Sequence, residues 1–175
     1  MRAVGWIVAA SAFGIAACAS SPVKRQAAPP PPGPVVRQAP VSPATYVAQA
    51  ASIDLFVMRS SELALVRSRS ARIRDLAGRM IVAHQGTSAQ LSFAGRRLNL
   101  LPSADMLPQH QGMYDELSSS GDFDAAFVRV QRAAHGAALS LHASFAAGGS
   151  SPTLRPVAAN AAAVERSHLE MLGRL

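Results

Sequence analysis

The stretch RAAHGAALSLH, residues 132–142, sets His135 and His142 seven residues apart, two helical turns and so one face of a segment otherwise built of small and apolar side chains. His84 stands in MIVAHQG, and His168 in ERSHLEML with Glu165 three residues ahead of it. Imidazoles in such apolar settings have two chemistries. Neutral rings from three helices, His84, His135 and His168, with Glu165 or a water as the fourth ligand, would make a mononuclear zinc or copper site. The same rings could instead pack in a core, each nitrogen bonded to another histidine, to Glu165 or to backbone. An unpaired buried polar group costs roughly 1–3 kcal/mol, so partners must exist. Met80, one turn before His84, offers a soft sulfur for Cu(I), although methionine at that spacing is ordinarily core. For His142 and for His110, which falls in a linking segment, the default roles are surface and cap.

Other chemistries are poorly served. A ferritin-type di-iron site needs a Glu from each of two helices and an E-x-x-H from each of two more. This chain has one such match, Glu165-Arg-Ser-His168. There is no Gly-rich phosphate loop and no G-x-S-x-G turn. GDFD lacks the ligand spacing of a calcium loop and reads as a cap. The densest charge is the run Arg67, Arg69, Arg72, Arg74, Arg79. It reads first as a solvated face, and second as a surface for phosphates of an anionic envelope polymer, which guanidinium forks suit.

The elements that must position these side chains are helical. From residue 44 onward Ala and Leu dominate, and Gly and Pro are rare inside the long segments. Val47, Ala50, Ala51, Ile53, Asp54, Val57, Met58, Ser61 and Leu65 trace one stripe, with Asp54 as its charged interruption, and predict a helix over about 43–68. Ser70 caps a second helix. Pro102 and Pro108 bracket a connection to a short helix over about 109–117. A long helix spans about 123–147 and ends at Gly148-Gly149. Ser151 as cap and Pro152 at the first position predict a last helix running to about Leu172. Four long helices and one short one, with tight links within two pairs, pack most simply as an all-α four-helix bundle.

The N-terminal part is of another kind. Residues 1–17 hold Arg2 and an apolar run with small residues at its end, the pattern of a secretory signal. Ile15-Ala16-Ala17-Cys18 resembles a bacterial lipobox, with lipidation expected at Cys18. That is the chain's one cysteine, so no disulfide within the chain is available. Residue 19 is Ala, where Asp resembles an inner-membrane retention signal, and this points to the outer membrane. Residues 18–43 carry eight of the twelve prolines and no acid, a polyproline-like tether of up to about 75 Å at ~3.1 Å per residue. Residues 44–175 suffice for one domain. Their 13 arginines face 10 acids, a mild net +3, with two tyrosines and no tryptophan. No nucleic-acid motif is visible, and an exported protein meets little nucleic acid.

The blocks YVAQAASIDLFVMRSSELAL, RDLAGRMIVAHQ, LPSADMLPQHQGMYDEL, GDFDAAFVRVQRAAHGAALSLHASFAAGGSSPTLRP and ERSHLEML resemble, in order and spacing, those of the DUF4142 family. The resemblance spans about residues 45–172. It implies a ferritin-like helical bundle in an exported bacterial protein, often labelled outer membrane, with no settled activity. The family's helix-two, helix-three and last-helix histidines fall on His84, His135 and His168. Three positions depart from its pattern: an Asp before the first of these is Ala83, a helix-one Glu is Val57, and a Pro ahead of the last His is Ala163.

The leading expectation is therefore a lipid-anchored envelope protein facing the periplasm, with a non-enzymatic binding or structural role. The alternative is a zinc- or copper-binding bundle, and an enzyme ranks third.

Overall fold

The computed structural model describes residues 41–175. Cys18, the expected signal segment and nearly all of the expected tether lie outside the described residues. Five helices form: α1 (Pro43–Arg67), α2 (Ala71–Arg96), α3 (Pro108–Ser119), α4 (Phe123–Gly148) and α5 (Arg155–Leu172). There is no strand among the described residues. Their starts follow local chemistry. The hydroxyls of Ser42 and Ser70 accept the N–H groups of Thr45 and Ile73, and Asp122 accepts that of Ala125, so three helices begin on a side-chain cap.

The last helix departs from expectation. Ser151 does accept the Leu154 N–H, but residues 152–154 form only a turn and the regular helix begins at Arg155. Pro156 explains the delay. It has no N–H to return to the carbonyl of residue 152, so the hydrogen-bond ladder cannot run continuously from the earlier proline. Gly149, expected as a C-cap, does close α4, but with an extended backbone (φ −62°, ψ 142°) and not a left-handed one.

α1 packs on α2 and α4, and α5 on α4 and α2, which closes a ring of four; α3 lies on α1 and α4. Cross-helix bonds fix the directions. Asp54 meets His84 and Ser61 meets Met80, so α2 runs opposite to α1. Tyr46 meets His142 and Ser60 meets Gln131, so α4 also opposes α1. α5 opposes α4, since His168 meets His135 while Arg132 reaches the Leu172 carbonyl. The link from α2 to α4 must therefore climb the length of the bundle, and α3 is its ascending part. One long crossover in a four-helix bundle is ferritin-like connectivity, as expected.

The interior is layered. One apolar cluster gathers Phe56, Met80, Phe127, Leu117 and Leu172; the other gathers Tyr46, Leu91, Phe145 and Leu154. Between them every long helix contributes polar residues: Asp54 from α1, His84 and Thr87 from α2, His135 and His142 from α4, Glu165 and His168 from α5, all buried. No helix among the described residues is long and apolar enough to cross a membrane.

Candidate metal centre

This middle layer is where the candidate residues converge. One ligand atom from each of His84, His135, Glu165 and His168 lies within 4.8 Å of all the others. The ring centroids of the three histidines are 5.1–5.5 Å apart. Each ring is held from behind. Asp54 Oδ1 accepts the Nδ1–H of His84 at 2.8 Å and the hydroxyl of Thr87 at 2.9 Å. The Gln131 carbonyl accepts the Nδ1–H of His135 at 2.8 Å. Neither acceptor can donate, so both rings carry a proton on Nδ1 and direct Nε2 inward. His135 Nε2 then accepts from His168 Nδ1 at 3.2 Å.

Glu165 sits among these nitrogens without touching them. Its Oε1 is 4.0 Å from His84 Nε2 and 3.9 Å from His142 Nε2, and its Oε2 is 3.7 Å from His135 Nε2. These separations are too long for hydrogen bonds. His84 Nε2 and Glu165 Oε2 are accordingly buried with no hydrogen-bond partner. A tetrahedral ion with bonds of about 2.0–2.1 Å to nitrogen holds its ligand atoms roughly 3.3 Å apart. With ligand atoms up to 4.8 Å apart, the four residues could hold such an ion once drawn slightly inward.

The electrostatics agree. Burial, with the charge of His84 and His168 adding, pushes His135 down to about 3, against the weaker pull of the Gln131 bond. Burial and the His84 charge take His142 and His168 down to about 4 each. Burial lifts Glu165 to about 7; the His84 charge opposes this and the Asp54 charge adds to it. For His84 burial acts downward, but the Asp54 hydrogen bond and the charges of Glu165 and Asp54 outweigh it, and the ring is held above its ordinary value. Burial, then the charges of Asp54 and Glu165, raise the Tyr46 phenol. His135, His142 and His168 are thus neutral across the physiological range, and His84 is the ring held toward its charged form.

The family model for DUF4142, a domain of unknown function, matches residues 28–175. The chain belongs to the DUF4142 family. Its fold recurs in CopM in the Cu(II)-bound form, at TM-score 0.67 and 13% identity over 78% of this chain and 96% of that one. CopM in the Ag-bound form gives TM-score 0.62 at 13% identity over 76% and 93% of the two chains. A DUF305 fragment from Deinococcus radiodurans gives 0.64 at 18% identity over 78% and 100%. No curated protein matches.

In this DUF4142 bundle the three histidines and Glu165 come together, and two further residues join them. His142 is not at the surface: it is 3% exposed, its Nδ1 lies 3.0 Å from the Tyr46 hydroxyl, and its Nε2 faces Glu165. Burying Tyr46 against Phe145, ring on ring at 4.0 Å, brings its hydroxyl to that imidazole. Asp54 supplies a helix-one carboxylate one turn before Val57, where the family pattern has Glu. A charged residue on an otherwise apolar stripe was the signal for Asp54, and the two-turn repeat from His135 was the signal for His142. His110 is also buried, with Nδ1 2.6 Å from the Ser52 hydroxyl, which in turn accepts the Leu107 N–H at 2.7 Å; it fixes α3 to α1 outside the cluster.

The arginine run does not form one free face. Arg67 donates to the carbonyls of Ser118 and Ser120 and lies over the Phe123 ring, Arg74 closes the α1–α2 corner on the Ser68 carbonyl, and Arg79 pairs with Asp75 on its own helix. Arg69 and Arg72 are exposed beside them.

Proposed function

We propose that this protein binds copper in the interior of its bundle, through His84, His135, His168 and Glu165, as a non-enzymatic metal-handling protein of the cell envelope. The observation that carries the reading is the pair of buried, partnerless atoms, His84 Nε2, which faces Glu165 Oε1 at 4.0 Å, and Glu165 Oε2, which faces His135 Nε2 at 3.7 Å. A purely structural cluster would have every buried polar atom bonded, because each orphan costs roughly 1–3 kcal/mol. Here the outer bonds are complete and the inner ones missing. Asp54 and the Gln131 carbonyl hold the His84 and His135 rings by Nδ1 with Nε2 inward, the usual task of groups behind metal-bound histidines; an ion at His84 would displace any proton from its Nε2. His168 would move its proton to Nε2 and ligate through Nδ1. Imidazole with a single carboxylate suits copper or zinc and disfavours magnesium or calcium. The CopM structures of this fold, bound to Cu(II), Cu(I) or silver, favour copper of the two.

Lipid attachment at Cys18, with the bundle on a proline-rich tether at the outer membrane, belongs to the same proposal and rests on the lipobox resemblance. Arg69 and Arg72 are the members of the arginine run left for an anionic envelope polymer.

The test is thermal unfolding of the purified protein with Cu(II), Cu(I), Zn(II), Fe(II) and Mn(II). Copper is expected to stabilise it by about 4 kcal/mol at a thousandfold excess over Kd. His84→Ala, His135→Ala and His168→Ala should each abolish that gain. A zinc response alone would reassign the ion. No response to any metal, with the variants merely less stable, would return the histidines to a packing role.

A further inference from the structure

The layer contains more donors than one ion needs, and they fall into two groups on either side of Glu165. Oε2 faces His135 Nε2 at 3.7 Å, and that nitrogen is 3.2 Å from His168 Nδ1. Oε1 faces His84 Nε2 at 4.0 Å and His142 Nε2 at 3.9 Å. Oε1 thus has two imidazole nitrogens on its side and Oε2 has one, with His168 beyond it against His135, and none of the contacts to Glu165 is short enough to be a hydrogen bond. His142 Nδ1 lies 3.0 Å from the Tyr46 hydroxyl, which can donate or accept, and its Nε2 is directed toward Glu165; where the hydroxyl accepts, that Nε2 is bare as a ligand must be.

Charge decides how many ions such a layer can enclose. Its acidic members are Asp54 and Glu165, each nearly or fully buried; its other ionisable members are imidazoles, which ligate in neutral form, and the Tyr46 phenol. A net charge enclosed between two apolar clusters is expensive, so the cations must sum to the two negative charges. One divalent ion meets that condition. Two monovalent ions meet it as well, and two divalent ions do not.

We infer that the layer is a charge-matched double site, holding either one divalent cation or two monovalent soft cations bridged by Glu165, with His142 as a ligand of the second monovalent ion. One position is formed by His135, His168 and Glu165 Oε2, the other by His84, His142 and Glu165 Oε1. Three ligands suit Cu(I) and Ag(I), which accept low coordination numbers. The inference rests on the copper-binding reading and adds a stoichiometry and a ligand to it.

The experiment is native mass spectrometry of the full chain in detergent, carrying Cys18→Ser so that no thiol competes, titrated separately with Ag(I), Cu(I) under reducing conditions, Cu(II) and Zn(II). Two equivalents of Ag(I) or Cu(I) are expected, against one of Cu(II) or Zn(II). His142→Ala should keep the divalent equivalent and lose one of the two monovalent ones. Imidazole nitrogen NMR of the unsubstituted histidines provides the same answer without a variant: the His142 Nε2 resonance should move as Ag(I) is added. A single monovalent equivalent, or a His142 signal that stays in place at saturation with Ag(I), overturns the double site and leaves the copper-binding reading intact. Failure to bind any of the four ions overturns both.

Discussion

Asp54 and Glu165 hold opposite positions in the energetics of the buried layer. Asp54 is satisfied, accepting from His84 and Thr87. Replacing it with Asn should leave the helices intact but lower copper affinity by about 10–100-fold, the usual cost of loosening the group behind a ligating imidazole, as read by competition with a chelator. Glu165 has an oxygen with no partner. Glu165→Leu should therefore raise the stability of the metal-free protein, by roughly 1–3 kcal/mol in urea denaturation, while removing the response to copper. A loss of stability in that variant would show that the carboxyl is better satisfied than its distances indicate. The apolar settings of His84, His135 and His168, the family pattern that falls on them, and the E-x-x-H at Glu165 singled out the four residues that the fold brings together. Asp54 was visible only as a charge on an apolar stripe, since pairing it with His84 requires the α1–α2 register. Tyr46 and His142 are 96 residues apart and share no sequence pattern.

Helix boundaries followed from local chemistry wherever a cap or a proline acts within one turn. Ser42, Ser70 and Asp122 begin their helices as side-chain acceptors should, and Pro108 opens α3. The start of α5 was misplaced because two prolines four residues apart act together, and the rule for each alone does not include the other. The end of α2 illustrates a contact that no local rule contains. At Gly95 the Leu100 carbonyl lies 2.2 Å from where a Cβ would stand, while Leu100 donates its N–H to the Gly95 carbonyl at 2.9 Å. Gly95→Ala should cost about 1–3 kcal/mol by forcing that turn outward, detectable as a lower urea midpoint at unchanged slope. Gly136 has open space around its Cβ direction and lies mid-helix, so Gly136→Ala should instead add about 0.5–1 kcal/mol.

Taken as a whole, the bundle should be acid-sensitive in its metal-free state. His135, His142 and His168 bind their protons only near pH 3–4 when folded but near 6.5 when unfolded. The unfolded chain therefore holds more protons between those values, and stability falls as pH drops from about 6.5 toward 4. Glu165 opposes this, because its folded value of about 7 exceeds its unfolded 4.5, and so does His84, whose raised value favours the folded state toward acid. Three histidines outweigh these two, and the loss should be steep near pH 5, at roughly 1–3 kcal/mol per pH unit. Urea midpoints measured from pH 7.5 to 4.5 check the sign; a flat profile would mean that the imidazoles already reach water. The burial that makes them neutral has a second effect. Every member of the polar layer is 5% exposed or less, with an apolar plug above it and another below. Among the described residues Glu165 is 1% exposed, so an ion is expected to come or go as the helices part. Its residence time is then set by the breathing of the bundle and not by the grip of its ligands. A chelator, however concentrated, would have to wait for the protein to open: such a molecule behaves as a vault, not as a ferry.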